Sequence, residues 1–295
     1  MRSIFVFLLM AAAGACQSKK QEQTASASAP ALSPLAYDLA HPSRTFPLPA
    51  SLKEISGITY VKDGQLACIN DEDGDLFLFD YKSGKVTDRR MWGTPGDYED
   101  LAYVDNTFYI MRSDGKLFVF PLSETIQAGD EDHKTTRSIR SFGLVLPGDK
   151  NELEGFCFDP KTKWFFVAAK NTKGGSGKPD TRYVYFYDRA RNLSWKGIVL
   201  RKQSFEELGF TGKDATFNPS GIAVHPLTKH VYILASNGHK LIVLDRKGGQ
   251  FVSVEKLDPK VFEQPEGICF APDGTLFLSS EGKKNPGMIW AFKPR

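Results

Sequence analysis

Residues 218–245 read NPSGIAVHPLTKHVYILASNGHKLIVLD. Three apolar runs, GIAV, VYILAS and LIVL, are separated by HPLTK and NGHK, which carry Pro, Asn and Gly. Short runs rich in β-branched residues and bounded by turn formers are strands joined by hairpins, not helices. The opening phrase, a small or acidic residue, then Gly, then an alternating apolar run, returns along the chain. It reads KEISGITY at 53–60, YEDLAYV at 98–104, LEGFCFDP at 153–160 and QPEGICFAPDG at 264–274. The copies recur about every 45 to 65 residues, a period that means a repeat architecture.

Four short antiparallel strands in about 50 residues make a propeller blade, and blades must stack to bury both apolar faces. The reading is an all-β, five-bladed propeller over residues 44–295, with a six-bladed ring as the alternative if 112–151 or 200–218 holds a degenerate blade. The last repeat supplies three good strands. A short extended piece at 44–48, confined to an edge by Pro47 and Pro49, is expected to join it and close the ring. SFEELGFTGKDATF at 204–217 is the one stretch with helical character. Ser204 is a candidate cap of a short helix that carries Phe205 and Leu208 and ends at Gly209. It reads as an inserted loop offering partner contacts.

The chain has 295 residues with 38 Lys and Arg against 35 Asp and Glu. This near balance, with no dense basic cluster, points away from a nucleic-acid partner. Its 22 Phe and 10 Tyr provide ample core for one domain. The front end is separate. Arg2, an apolar stretch at 4–10 and the ending Ala13-Gly14-Ala15-Cys16 read as a lipoprotein signal peptide, residues 1–15. The ending resembles a bacterial lipobox, which implies cleavage before Cys16 and lipid attachment to it. The alternative is a plain secretory signal. Residues 16–43 then form the lipidated Cys and a flexible tether. The expectation is a membrane-anchored head in the bacterial cell envelope, at the outer membrane.

In a propeller the first strands line a central channel, so the starts of strand one and the ends of strand two meet at one mouth. The starts give Glu54 (or Ser56, depending on the alignment), Glu99, Asp100, Glu154, Ser220 and Glu266. The ends give Asn70, Asp71, Arg112, Lys170, Asn171 and Glu281, with Glu72, Ser236 and Asn237. Crowded carboxylates need protons, cations or metal to neutralise them. Arg112 and Lys170 are candidates, and so is Ca²⁺ held by Glu54, Glu99, Glu154 and Glu266. No His or Cys set suggests zinc. Glu at a strand start also serves simply by accepting backbone N–H groups from the next blade.

Other signals are weaker. NDEDGD at 70–75 lacks the spacing of a calcium loop and reads as a tight turn. KGGSGK at 173–178 is not a phosphate loop. Cys68, Cys157 and Cys269 lie in apolar strands and read as small buried hydrophobes. Trp92 is a candidate to flank a ligand or cap the channel.

The phrases LKEISGITY, CINDEDGDLFLFD, DYEDLAYV, NELEGFCFDP, FNPSGIAVHPLTKHVYILAS and QPEGICFAPDGTLFLSSEG resemble those of the SdiA-regulated domain family, the YjiK-like propellers of bacterial envelopes. The resemblance covers about residues 46 to 292. It implies an exported propeller loosely similar to lactonase and phytase-like propellers that hold Ca²⁺ in the channel. By position it marks Glu54, Glu99, Glu154 and Glu266, with Asn70 and Asp71, while Ser220 departs from the pattern. It brings no assigned chemistry. Three functions stay open: a head binding a ligand, cation or envelope protein at its acidic mouth; a calcium-dependent hydrolase of a lactone, ester or phosphoester; and a structural scaffold.

Overall fold

The computed structural model describes residues 32–127, 139–148, 150–173, 180–246 and 249–295. The signal, Cys16 and the tether as far as residue 31 lie outside the described residues, as does all of KGGSGK but its first residue. After an edge strand, β1 (Arg44–Pro47), blade one holds β2 (Ile55–Lys62), β3 (Gln65–Asn70), β4 (Asp75–Asp80) and β5 (Lys85–Met91). Blade two holds β6 (Tyr98–Val104), β7 (Thr107–Arg112) and β8 (Lys116–Pro121). The chain then gives β9 (Ile126–Gln127), which pairs back onto β5, before β10 (Arg140–Gly143) completes blade two against β8. Blade three is β11 (Lys150–Asp159), β12 (Trp164–Lys173), β13 (Thr181–Asp188) and β14 (Leu193–Arg201). Blade four is β15 (Asn218–Val224), β16 (Val231–Asn237), β17 (Lys240–Leu244) and β18 (Phe251–Lys256). Blade five is β19 (Gln264–Phe270), β20 (Leu276–Glu281) and β21 (Met288–Phe292), and β1 pairs antiparallel with β21 as its fourth strand.

The first strands meet in a ring: β2 with β6, β6 with β11, β11 with β15, β15 with β19, and β19 with β2. The propeller therefore has five blades, and the described residues of the two regions considered for a sixth do not make one. The hydrophobic core follows the same count, as one cluster between each pair of neighbouring blades. Between blades five and one, Phe46, Phe77 and Phe277 are buried together. Between blades two and three, Phe156 stacks on Phe165 at 4.9 Å between ring centroids. A blade alone would leave these faces in water, so apolar burial between neighbours drives ring closure.

The stretch after blade three differs in detail from the sequence reading. The helix, α1 (Lys202–Glu207), begins at Lys202, and neither Ser204 nor any other side chain caps it. Its position comes from burial: Phe205 is fully covered and packs on Phe217 at 4.5 Å. Ala215 is buried in the same cluster, so much of the segment belongs to the core between blades three and four. Trp92 is likewise core, stacked on Phe120 at 5.2 Å, and does not cap the channel.

The packed head also begins before residue 44. Ser33 donates its N–H to the Val252 carbonyl at 2.8 Å, and Leu35 and Tyr37 are buried between blades four and five. The Tyr37 hydroxyl donates to the Gly274 carbonyl at 2.6 Å and lies 2.9 Å from Nε2 of His225. Nδ1 of His225 accepts the backbone N–H groups of Leu227 and Thr228. With Nδ1 accepting, the remaining proton sits on Nε2 and points at the Tyr37 oxygen. Residues 33–43 are thus a strap laid on the propeller.

Candidate functional site: the acidic mouth of the channel

Register fixes the mouth. Ile55 lies opposite Asn70, Tyr98 opposite Arg112, Glu152 opposite Asn171, Asn218 opposite Asn237, and Gln264 opposite Glu281. Strand-one starts and strand-two ends therefore share one end of every blade. A register shift falls at this place in each blade: between Ile55 and Ile58, Tyr98 and Asp100, Leu153 and Gly155, Pro219 and Gly221, and Pro265 and Ile268. A β-bulge adds a residue and re-aims its side chain. The bulges place Ser56, Glu99, Glu154, Ser220 and Glu266 at equivalent positions around the axis. This corrects the first copy: Ser56 holds the ring position, and Glu54 lies outside it, exposed.

The residue after each of these is Gly57, Asp100, Gly155, Gly221 or Gly267. A Cβ on Gly57 would stand 2.5 Å from Oδ1 of Asp100, and one on Gly221 would run into the Glu266 carbonyl oxygen. Glycine is needed here because the five first strands approach within backbone contact. Asp100 takes the glycine place in blade two and bridges instead. Its carboxyl accepts the Phe156 N–H of blade three at 2.7 Å and the Leu101 N–H at 2.8 Å. Asp100 is buried, which holds its pKa well above the usual carboxylate range. It acts as a buried strap between blades and is not a ligand at the mouth.

Three Glu side chains surround one ammonium. Lys170 Nζ lies 2.6 Å from Oε1 of Glu154, which is buried and also hydrogen-bonded to Glu99. Burial pulls the Lys170 pKa down, but Glu154, Glu99 and Glu266 outweigh it and raise it. Desolvation, then the neighbouring Glu154, pushes Glu99 up to about 10 and Glu266 well above its ordinary value. Glu154 is raised by burial too, against the pull of Lys170. A Glu99 that keeps its proton donates it to the Glu154 carboxylate, so the pair holds one proton and one charge.

A second group lies beside the first. Desolvation, then Asp71 and Glu54, pushes Glu281 up to about 7. Desolvation, then Glu54 and Glu72, pushes Asp71 to about 6, and Asp71 Oδ1 is buried with no hydrogen-bond partner. The other sequence candidates are committed elsewhere. Arg112 pairs with Asp114 at 2.7 Å and does not neutralise the ring. Asn70 accepts the Asp73 N–H at 3.1 Å, closing the NDEDGD turn. Asn171 lies on β12, and its side chain is outside the described residues. Ser220 donates to the Pro265 carbonyl at 2.7 Å, a purely structural bond.

Of the set named for calcium, Glu99, Glu154 and Glu266 gather about Lys170, while Glu54 stands with Asp71 and Glu281. Among the described residues no three His, Cys, Asp or Glu side chains are grouped to hold a metal ion. Cys68, Cys157 and Cys269 are free, and burial pushes all three thiols up. The sequence did not reveal that Glu99 and Glu154 are hydrogen-bonded to each other, since that depends on which blades are neighbours.

The fold and this mouth define a class: a five-bladed propeller whose channel opens on an acidic ring. Residues 44–293 match the family model described as SdiA-regulated, and the chain belongs to that family. No curated protein sequence matches it. Among solved structures it is similar to the glutaminyl cyclase of Myxococcus xanthus, at 14% identity and a TM-score of 0.53, covering 86% of this chain and 95% of that one. It is also similar to the PQQ-bound aldose sugar dehydrogenase of Streptomyces coelicolor, at 13% identity and a TM-score of 0.50, covering 86% and 98%. A putative glucose dehydrogenase from Thermus thermophilus aligns at 12% identity and 0.50, covering 85% and 99%. At such identities the likeness is one of fold.

Proposed function

We propose that the protein is a cell-envelope propeller head, tethered through lipid on Cys16, that binds a positively charged ligand at the acidic mouth of its channel. One observation carries the reading. Ser56 and Ser220 occupy the same bulge as Glu99, Glu154 and Glu266, so the ring closes without a carboxylate there. Three carboxyls are nevertheless held in that layer against a desolvation cost, around one ammonium. Groups kept at a cost to folding are the mark of a site. A cation entering beside Glu99 and Glu266 would let them ionise, so its binding releases protons. An organic ammonium suits the mouth better than a bare metal, because the carboxyls are spread over three blades and do not form a cage.

The test is calorimetric titration of the full chain with spermidine. One saturable site is expected, weakened about tenfold or more in Glu266→Gln. Its heat should depend on the buffer's ionisation enthalpy, which reports the released protons. No saturable heat, or unchanged affinity in both Glu266→Gln and Glu99→Gln, discards the reading. Calcium chloride in place of spermidine separates a hard cation from an ammonium. Among the described residues no helix is long and apolar enough to cross a membrane. Anchoring is tested by metabolic labelling with an alkynyl fatty acid, which Cys16→Ala should abolish.

A further inference from the structure

We propose that the groove between blades two and three is a binding site for a small organic anion, a carboxylate carried on a flat apolar body. Strand register builds one wall. Tyr109 lies opposite Val119 and Val119 opposite Arg140, so a single row crosses blade two from β7 through β8 to β10. Residues two apart on a strand share a face, which puts Phe142 beside Arg140 on β10. On blade three, Tyr187 near the end of β13 supplies the other wall, with Arg189 and Asn192 from the turn that follows. The space between the walls measures about 470 Å³. Ligand sites run from about 300 to 1,000 Å³.

Charge defines the occupant. Among the described residues no Asp or Glu lines the groove, and its two charged groups are both arginines. Arg140 and Arg189 are exposed and, among the described residues, neither forms an ion pair. The acid next to Arg189 is committed elsewhere: Asp188 pairs with Arg191 at 2.6 Å and accepts the Ala190 N–H at 2.9 Å. Arg189 instead reaches over the Tyr109 ring of blade two, its guanidinium carbon 5.4 Å from the ring centroid. Two like charges thus face one space with no acid between them, and the groove is electropositive. Asn192 accepts the Tyr187 hydroxyl at 3.2 Å through its carbonyl oxygen, which leaves its amide N–H groups as further donors. A guanidinium presents a planar fork that matches a carboxylate. Tyr109 and Tyr187 belong to the core between the blades and form the floor, so the arginines do the selecting. Inorganic phosphate would meet the arginines but leave that floor in water, whereas a flat hydrocarbon body covers it. The groove shares no residue with the acidic mouth, so the proposal does not depend on that site.

The probe is naphthoate, titrated calorimetrically into the full chain. One saturable site is expected. Naphthalenemethanol, which has the same rings and no charge, should bind at least about tenfold more weakly, and so should inorganic phosphate. Arg140→Gln and Arg189→Gln should each weaken naphthoate about tenfold, and the double variant should abolish its binding. Both side chains are exposed, so the variants should fold, which circular dichroism checks. Absence of saturable heat overturns the proposal. So does equal binding of the alcohol or of phosphate, or unchanged affinity in a folded double variant. Should the double variant not fold, the single variants decide, and unchanged affinity in both overturns the proposal. The comparison of naphthoate with its alcohol is made on the native protein and needs no variant.

Discussion

Blades two and four meet the channel with the same backbone and opposite chemistry. Both carry a register shift at the mouth. Blade two presents Glu99-Asp100 there, and blade four presents Ser220-Gly221. In blade four, Gly221 lets the backbone touch the next strand, and Ser220 makes one neutral hydrogen bond across. In blade two, a carboxyl reaches the next blade and a second carboxyl joins the acidic group. The bulge therefore belongs to the fold, and the charge is an addition that the fold does not require.

Exchanging residues between the two blades breaks the comparison most severely in one direction. Gly221→Asp would drive a side chain into the Glu266 carbonyl and bury a carboxylate without partners, so a loss above about 4 kcal/mol is expected. The variant should fail to give a cooperative urea transition. The reverse exchange, Asp100→Gly, leaves the Phe156 and Leu101 N–H groups unpaired. It should lower the urea-derived stability by about 2–4 kcal/mol, and a loss below 1 kcal/mol would mean the strap is dispensable.

Glu99→Ser gives blade two the residue of blade four and should act the other way. Glu99, Glu281 and Asp71 have raised values in the folded state, about 10, 7 and 6. Between the ordinary carboxylate value and these, the folded protein binds more protons than the unfolded chain. Stability is therefore fully present in acid and falls as pH rises through that window. Glu99→Ser should raise stability near pH 8 by about 1–2 kcal/mol and flatten the decline. An unchanged slope in thermal melts across pH would place the proton elsewhere. The smallest effect is Ser220→Ala, which removes one hydrogen bond and should cost about 1 kcal/mol.

Much of this was legible in the sequence. The five phrases located the five first strands, and the edge strand with Pro47 and Pro49 joined the last blade as expected. Strand pairing alone brought Lys170 and Glu154 to one mouth. The misreadings have physical causes. The sequence left the first copy open between Glu54 and Ser56, because the acid of that phrase stands two residues before the position that precedes glycine in the other copies. The helix at Lys202 is placed by the burial of Phe205 and not by a polar cap. Asp100 reads as one more acid, because its partner Phe156 belongs to another repeat. Tyr37 looked like tether, since its hydroxyl finds His225 and Gly274 only in the folded ring.

The clasp that closes the ring has a consequence in time. Phe46 lies opposite Ile289, so the first strand made is completed by the last. A chain translated from its N-terminus carries β1 through the whole process without a partner. Four blades can form as they emerge, but the fifth waits for residues 288–292. A chain cut short before Met288 would present β1 and the rim of blade five as two open edges, an invitation to pair with another copy. Surveillance of incomplete chains would find its cleavage target in that unpaired first strand.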